Sequence, residues 1–203
     1  MADRRQFIKS GLALSAMCSS VLSAMPAGVG AAEVATLRLE RFVFDNRFEE
    51  AREAAQQAAQ QGIPLAEVSG DLTDLWYDDL DLQWKKASMA LAGITNRSGL
   101  FVLETLAADF SMRVVYRGIH AVPKNGRVAH TLKGPASLIE RAKSAADKQR
   151  WALQLGSALT RCPFGKPSAA KLELSTPAVS ASAREEPIYS WIIAPRSSVA
   201  LTV

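Results

Sequence analysis

Between Leu37 and His120 the chain repeats one pattern: a short apolar run, a polar turn, a helix-length segment with an apolar side, then another apolar run. Leu37–Asp45 alternates and closes on Phe42-Val43-Phe44, which reads as a strand. Arg47–Gln61 follows as a helix carrying Phe48, Ala51, Ala55, Ala58 and Ala59 along one side, with Gly62 and Pro64 as stop signals. An inner face made almost wholly of alanine suits close approach to a sheet. Leu65–Val68 is a short second strand, Leu72–Leu82 a helix, and Met89–Thr95 a third strand. Leu100–Phe110 is a helix with Leu100, Leu103, Leu106 and Ala107 on one face, and Met112–His120 a fourth strand. Parallel neighbours need a crossover of about a dozen residues or more, usually a helix. The βαβαβαβ order therefore predicts an α/β domain with a largely parallel, three-layer sheet of flavodoxin-like or Rossmann-like type.

Past His120 the pattern changes. Asn125-Gly126 marks a tight hairpin turn flanked by Ala121-Val122 and Val128-Ala129. Pro135–Leu159 reads as one long helix with Pro135 in its first turn. Pro163–Pro187, rich in Pro, Ser and Ala, reads as a surface loop with at most a brief pairing at Lys171–Leu174. Ile188–Ala194, with Trp191 and two isoleucines, regains strand character and is expected to return to the sheet at an edge. Val199–Val203 is too short to assign. The whole of residues 33–203 is expected to form a single domain.

Composition excludes several classes. No run reaches the roughly 18 to 20 apolar residues of a membrane-spanning helix. Two histidines, His120 and His130, are too few for a His-rich zinc or copper site within one chain. Charge is divided along the chain: residues 33–109 hold 7 Lys/Arg against 14 Asp/Glu, a net −7, and residues 111–203 hold 14 against 5, a net +9. The two halves are expected to attract one another, or to present separate faces to partners. No basic cluster with interleaved aromatics stands out, so nucleic acid is not an expected partner.

The N-terminus carries an address. Asp3-Arg4-Arg5-Gln6-Phe7-Ile8-Lys9 is followed by a weakly apolar run from Gly11 to Ala24, diluted by serines, and then by Ala27-Gly28-Val29-Gly30-Ala31-Ala32. This positive, apolar, small-residue order over residues 1–32 resembles the twin-arginine (Tat) signal peptides of bacterial export. The resemblance implies engagement of the Tat machinery, export in a folded state to the periplasm, and cleavage near Ala31 or Ala32. Met17 before Cys18 departs from the small residue that a lipid-anchored cysteine would follow. Cleavage lowers the formal charge from +4 to +2 and leaves Cys162 without an intramolecular disulfide partner.

In a parallel sheet, ligands bind beyond the C-terminal ends of the strands. Those ends are Asp45-Asn46-Arg47, Ser69-Gly70-Asp71, Thr95-Asn96-Arg97-Ser98-Gly99 and Arg117-Gly118-Ile119-His120. A small anionic ligand would use Asn46, Arg47, Asn96, Arg97, Ser98, Gly99 and Arg117, with backbone N–H groups at a helix start beside Arg97. The bland alternative has Asn96 or Ser98 capping that helix. His120 with Asp45 or Asp71 is the candidate catalytic set. Asp71, Asp74, Asp78, Asp79 and Asp81 lack the spacing of a calcium loop, and neither a metal nor a cofactor is expected. Trp76, Trp84, Trp151 and Trp191 are expected in the core or at an interface. The leading expectation is an exported accessory subunit with a larger exported partner, or a small-anion-binding protein, without a redox cofactor of its own. The alternative is a small hydrolase or isomerase using His120, Asp45 or Asp71, and Arg97.

Overall fold

In a computed structural model of the chain, the structure describes residues 38–121, 126–146, 150–161, 169–177 and 186–196. The signal-like segment 1–32, Cys162 and Val199–Val203 lie outside the described residues. The first half follows the expected order: β1 (Leu39–Asp45), α1 (Glu49–Gln60), β2 (Leu65–Val68), α2 (Thr73–Leu75), a π-helical turn (Trp76–Leu80), α3 (Asp81–Lys86), β3 (Ala90–Thr95), α4 (Arg97–Asp109) and β4 (Met112–Ala121). The second half adds β5 (Arg127–Pro135), α5 (Ala136–Ala146), α6 (Trp151–Leu159), β6 (Ala169–Pro177) and β7 (Ile188–Pro195).

All seven strands form one sheet in the order β2-β1-β3-β7-β4-β5-β6. Only β1 with β2 and β1 with β3 pair in parallel, and the other four pairings are antiparallel. The α/β class is as expected, but the sheet is mixed rather than largely parallel. The cause is β7, which enters between β3 and β4 instead of adding at an edge. Ile188 and every residue from Ser190 to Ala194 are buried. Such a run needs cover on both faces, and the helices on the two sides of the sheet supply it at this interior position.

Two further expectations are corrected. The single long helix is two helices, α5 and α6, and Pro135 is the last residue of β5 rather than the first turn of a helix. The segment read as a loop contains β6, whose nine residues pair along the whole of β5. Its inward residues Leu172, Leu174 and Thr176 alternate with the exposed Lys171, Glu173 and Ser175, and this alternation suits an edge strand with one solvated face.

Helices cover both faces. On one, α1, α5 and α6 bury Phe42, Phe44, Ile94, Tyr116, Leu132 and Ile192. On the other, α4 and the segment from α2 to α3 bury Val43, Leu91, Met112, Trp191 and Ile193. The alanine face of α1 does allow close approach, but chiefly to α6: a Cβ at Gly156 would lie 2.8 Å from Ala54 Cα. Ala54 belongs to that face, whereas Ala59 is exposed. Of the charge divided between the two halves, Arg150–Glu53 (2.8 Å) and Arg117–Glu104 (2.5 Å) pair across it. No helix among the described residues is long and apolar enough to cross a membrane.

Candidate functional site

The C-terminal ends of β2 and β3 open onto a groove of about 320 Å³, on the sheet face covered by α4. Its polar end is formed by Gly70, Asp71 and Thr73 after β2 and by Ser98 and Gly99 at the start of α4. Its apolar wall is formed by Leu72, Trp76, Tyr77, Val102 and Leu106. Trp76 is held edge-on to Trp84 and Phe110, with ring centroids 5.9 and 6.0 Å away, which fixes the π-helical turn against the C-terminal part of α4. Tyr77 is 67% exposed and Val102 40%. Phe101 of α4 is also 67% exposed.

The polar end is built by local hydrogen bonds. Asp71 Oδ1 accepts from Thr73 Oγ1 (2.7 Å) and Thr73 N (2.9 Å), and these bonds hold the carboxyl below its ordinary range, so it is ionised at neutral pH. Asn96 Oδ1 accepts from Gly99 N at 2.8 Å and caps α4, a bond worth about 1 kcal/mol. One donor that an anion would use there is therefore already engaged. The other aspartates of the acidic segment serve local partners: Asp79 pairs with Arg41 (2.6 Å) and accepts from Gln83, and Asp81 pairs with Lys85 (2.7 Å). Among the described residues no group of three or more His, Cys, Asp or Glu is arranged to hold a metal ion.

At the end of β1, Asp45 is buried and accepts three times from Arg47, Nε to Oδ1 at 2.9 Å, Nη2 to Oδ2 at 2.6 Å and the backbone N–H to Oδ1 at 3.2 Å. That hydrogen bond, with the charges of Asp45 and Glu186, raises the guanidinium pKa. Arg47 lies flat against Gly70, where a Cβ would fall 2.6 Å from Nη1, so the ion pair buttresses the polar end of the groove. Asn46 donates to Glu67 Oε1 (2.6 Å). Thr95, at the end of β3, accepts from Trp191 Nε1 (3.0 Å).

The sequence-derived candidates thus divide into separate places. Asp71, Ser98 and Gly99 come together in the groove, and Asp45 and Arg47 support it. Arg97 is exposed at the start of α4, and Arg117 lies within β4, paired to Glu104 of α4. His120 does not join them. Alternation along β4 turns it to the face of α5 and α6, while Arg117 faces α4.

His120 belongs instead to a buried polar row that the sequence did not reveal. Thr176 Oγ1 lies 2.8 Å from His130 Nε2, His130 Nδ1 lies 2.8 Å from His120 Nδ1, and His120 Nε2 lies 2.7 Å from Ser190 Oγ. Ser190 Oγ donates in turn to the Tyr116 hydroxyl at 3.4 Å. Trp151 covers both imidazoles, with ring centroids 4.5 and 4.9 Å away. Gly118 leaves the space in which these groups meet: a Cβ there would stand 2.9 Å from both His120 Nε2 and Tyr116 Oη, and closer still to Ser190 Oγ. Ser190, His120 and His130 have the spacing of nucleophile, base and orienting group. Ser190 has no exposed surface, however, and in this arrangement no substrate reaches it.

Sequence reasoning also missed Thr73, Val102 and the exposure of Phe101. The available signal was Phe101-Val102 itself, two apolar residues off the Leu100, Leu103, Leu106, Ala107 face of α4. The site thus defines an α/β protein with a mixed sheet and a groove at the ends of its parallel strands β2 and β3. No known family model matches the chain, nor does any curated protein or solved structure.

Proposed function

We propose that this is an accessory subunit, exported in a folded state by the twin-arginine route, that docks a larger exported protein through the groove between the π-helical turn and α4. The observation that carries this reading is the exposed apolar surface of Tyr77 and Val102, which line a groove walled also by Trp76 and Leu106. Exposed apolar surface of this kind marks interaction sites. The adjoining segment carries Asp71, Asp74 and Asp78, with no Lys or Arg between Gly70 and Gln83. A partner segment with apolar side chains and a basic flank therefore fits by charge as well as by shape. The same carboxylates repel a small anion, and the Asn96 cap takes a backbone donor such an ion would use. A hydrolase or isomerase built on His120 is disfavoured by its burial on the opposite face from the groove.

Native mass spectrometry of the protein purified from its own periplasm tests this, compared with the denatured sample. A larger assembly is expected, lost on Val102→Asp and kept on Leu65→Asp, since Leu65 is an exposed apolar residue on the edge strand β2. Cross-linking should place a basic, apolar segment of the companion against α4. A bare monomer would refute docking, and a monomer retaining a small molecule would transfer the groove to a small ligand.

A further inference from the structure

We propose that the outer edge of β6 joins two copies of this chain, strand to antiparallel strand, about a two-fold axis at Leu172. This inference is independent of the groove, which opens at the ends of β2 and β3, toward the other edge of the sheet. β6 is an edge strand, and among the described residues nothing pairs with its outer side. Its nine residues present backbone N–H and C=O groups that a further strand would satisfy, whereas the opposite edge, β2, has only four residues. A long edge of this kind takes a strand by backbone pairing, and the side chains decide which strand fits.

The side chains of β6 fit its own copy. Residues opposite one another across a ladder share a face of the sheet, so in a symmetric antiparallel pair the axis falls at a residue and not between two. An axis at Lys171 sets lysine against lysine, and one at Glu173 sets glutamate against glutamate. An axis at Ala170 or Leu174 pairs neither charge with its opposite. An axis at Leu172 sets Lys171 of each copy opposite Glu173 of the other, so opposite charges meet twice. Both side chains are exposed, 57% and 64%, and already lie 2.6 Å apart within one chain, so the four charges of the pair alternate in sign. On the inner face the same register sets Leu172 against Leu172 and Leu174 against Ala170, apolar residues that are only half-buried in one chain. Pairing then runs from Ala169 to Ser175, and Pro177, which has no N–H to donate, falls outside it. Charges of one sign along an edge repel a copy, whereas two opposite charges at this spacing make the copy complementary.

The test is the mass of the full chain purified alone, read by analytical ultracentrifugation over a range of concentrations. A species of two chains is expected. Lys171→Glu sets glutamate against glutamate twice and should raise the dimer dissociation constant at least about tenfold, and adding Glu173→Lys to it should restore the dimer. Val102→Asp, in the groove, should leave the dimer intact. In a background with Cys18 and Cys162 replaced by serine, Leu172→Cys should form a disulfide between copies under mild oxidation. Residues opposite one another across a ladder have Cα atoms about 4.5 to 5.5 Å apart, within reach of a disulfide, whereas Glu173→Cys faces Lys171 of the second copy and should stay reduced. If the charge variants do not fold, the two cysteine variants decide alone. A chain that is monomeric at every concentration would overturn the proposal. So would a folded charge swap that stays monomeric, a dimer lost on Val102→Asp and kept on Lys171→Glu, or a disulfide formed by Glu173→Cys and not by Leu172→Cys.

Discussion

Gly156→Ala sets two physical rules against each other and gives a prediction of sign. Alanine is favoured over glycine inside a helix by about 1 kcal/mol, so Gly156 in the middle of α6 looks like a site for stabilisation. The tertiary contact says otherwise. The new Cβ would stand 2.8 Å from Ala54 Cα and 3.0 Å from its carbonyl carbon, and closer still to the carbonyl oxygen. These are backbone atoms of α1, and no rotamer change can move them aside. Relief requires α6 to withdraw from α1, loosening the packing of Leu155 and Leu159, both buried in the same cluster. Overpacking of this kind costs about 1 to 3 kcal/mol, and a rigid backbone obstacle puts it toward the upper end. After the propensity gain, a net loss of about 1 to 2 kcal/mol remains. For a domain of this size that is a fall in Tm of about 2 to 8 °C. Thermal and urea denaturation followed by circular dichroism would read it, with an unchanged urea slope showing that the compactness of both states is kept. A Tm equal to or above that of the wild type would refute the close packing of α6 on α1.

Two predictions concern other buried polar groups. Thr95→Val keeps the shape of the side chain but removes the acceptor of Trp191 Nε1, leaving a buried donor unpaired; a loss of about 1 to 3 kcal/mol is expected by urea unfolding, and an unchanged midpoint would show that the bond contributes nothing. Burial pushes the Tyr116 phenol well above its ordinary range, against the smaller opposing effect of its hydrogen bond with Ser190. In the unfolded chain the same phenol ionises near pH 10, so the folded form binds its proton more tightly, and stability should fall as pH rises above about 10. Below about pH 11 the folded wild type and Tyr116→Phe should gain the same absorbance at 295 nm; a smaller gain in the variant would mean that Tyr116 ionises in the folded state.

Much of the first half was legible because local chemistry and tertiary structure agree there. Phe42-Val43-Phe44 and Ala90–Thr95 are apolar runs buried on both faces as strands, and Leu100, Leu103 and Ala107 are the buried face of α4. Of the strand-end residues, Asp71, Ser98 and Gly99 line the groove. The apolar wall was less visible. Exposure of Val102 and Tyr77 depends on what does not cover them, which periodicity along one helix does not report.

What the sequence by itself determined is the local alphabet of the first half: which segments up to β4 are strands, which are helical, and which face of each is apolar. What only the tertiary structure decided is how the late segments return to the early ones. The placement of β7 between β3 and β4 is a competition between an edge and an interior position, settled by a run from Ser190 to Ala194 that must be covered on both faces. The histidine row shows the same limit at the scale of one residue. The Asn-Gly turn signal brings β4 and β5 together, and the observed register sets His120 opposite His130. A shift of one residue turns every side chain of a strand to the other face. The meeting of the two imidazoles, with Ser190 some seventy positions away, is therefore a consequence of strand register, which the composition and periodicity of the separate segments leave open.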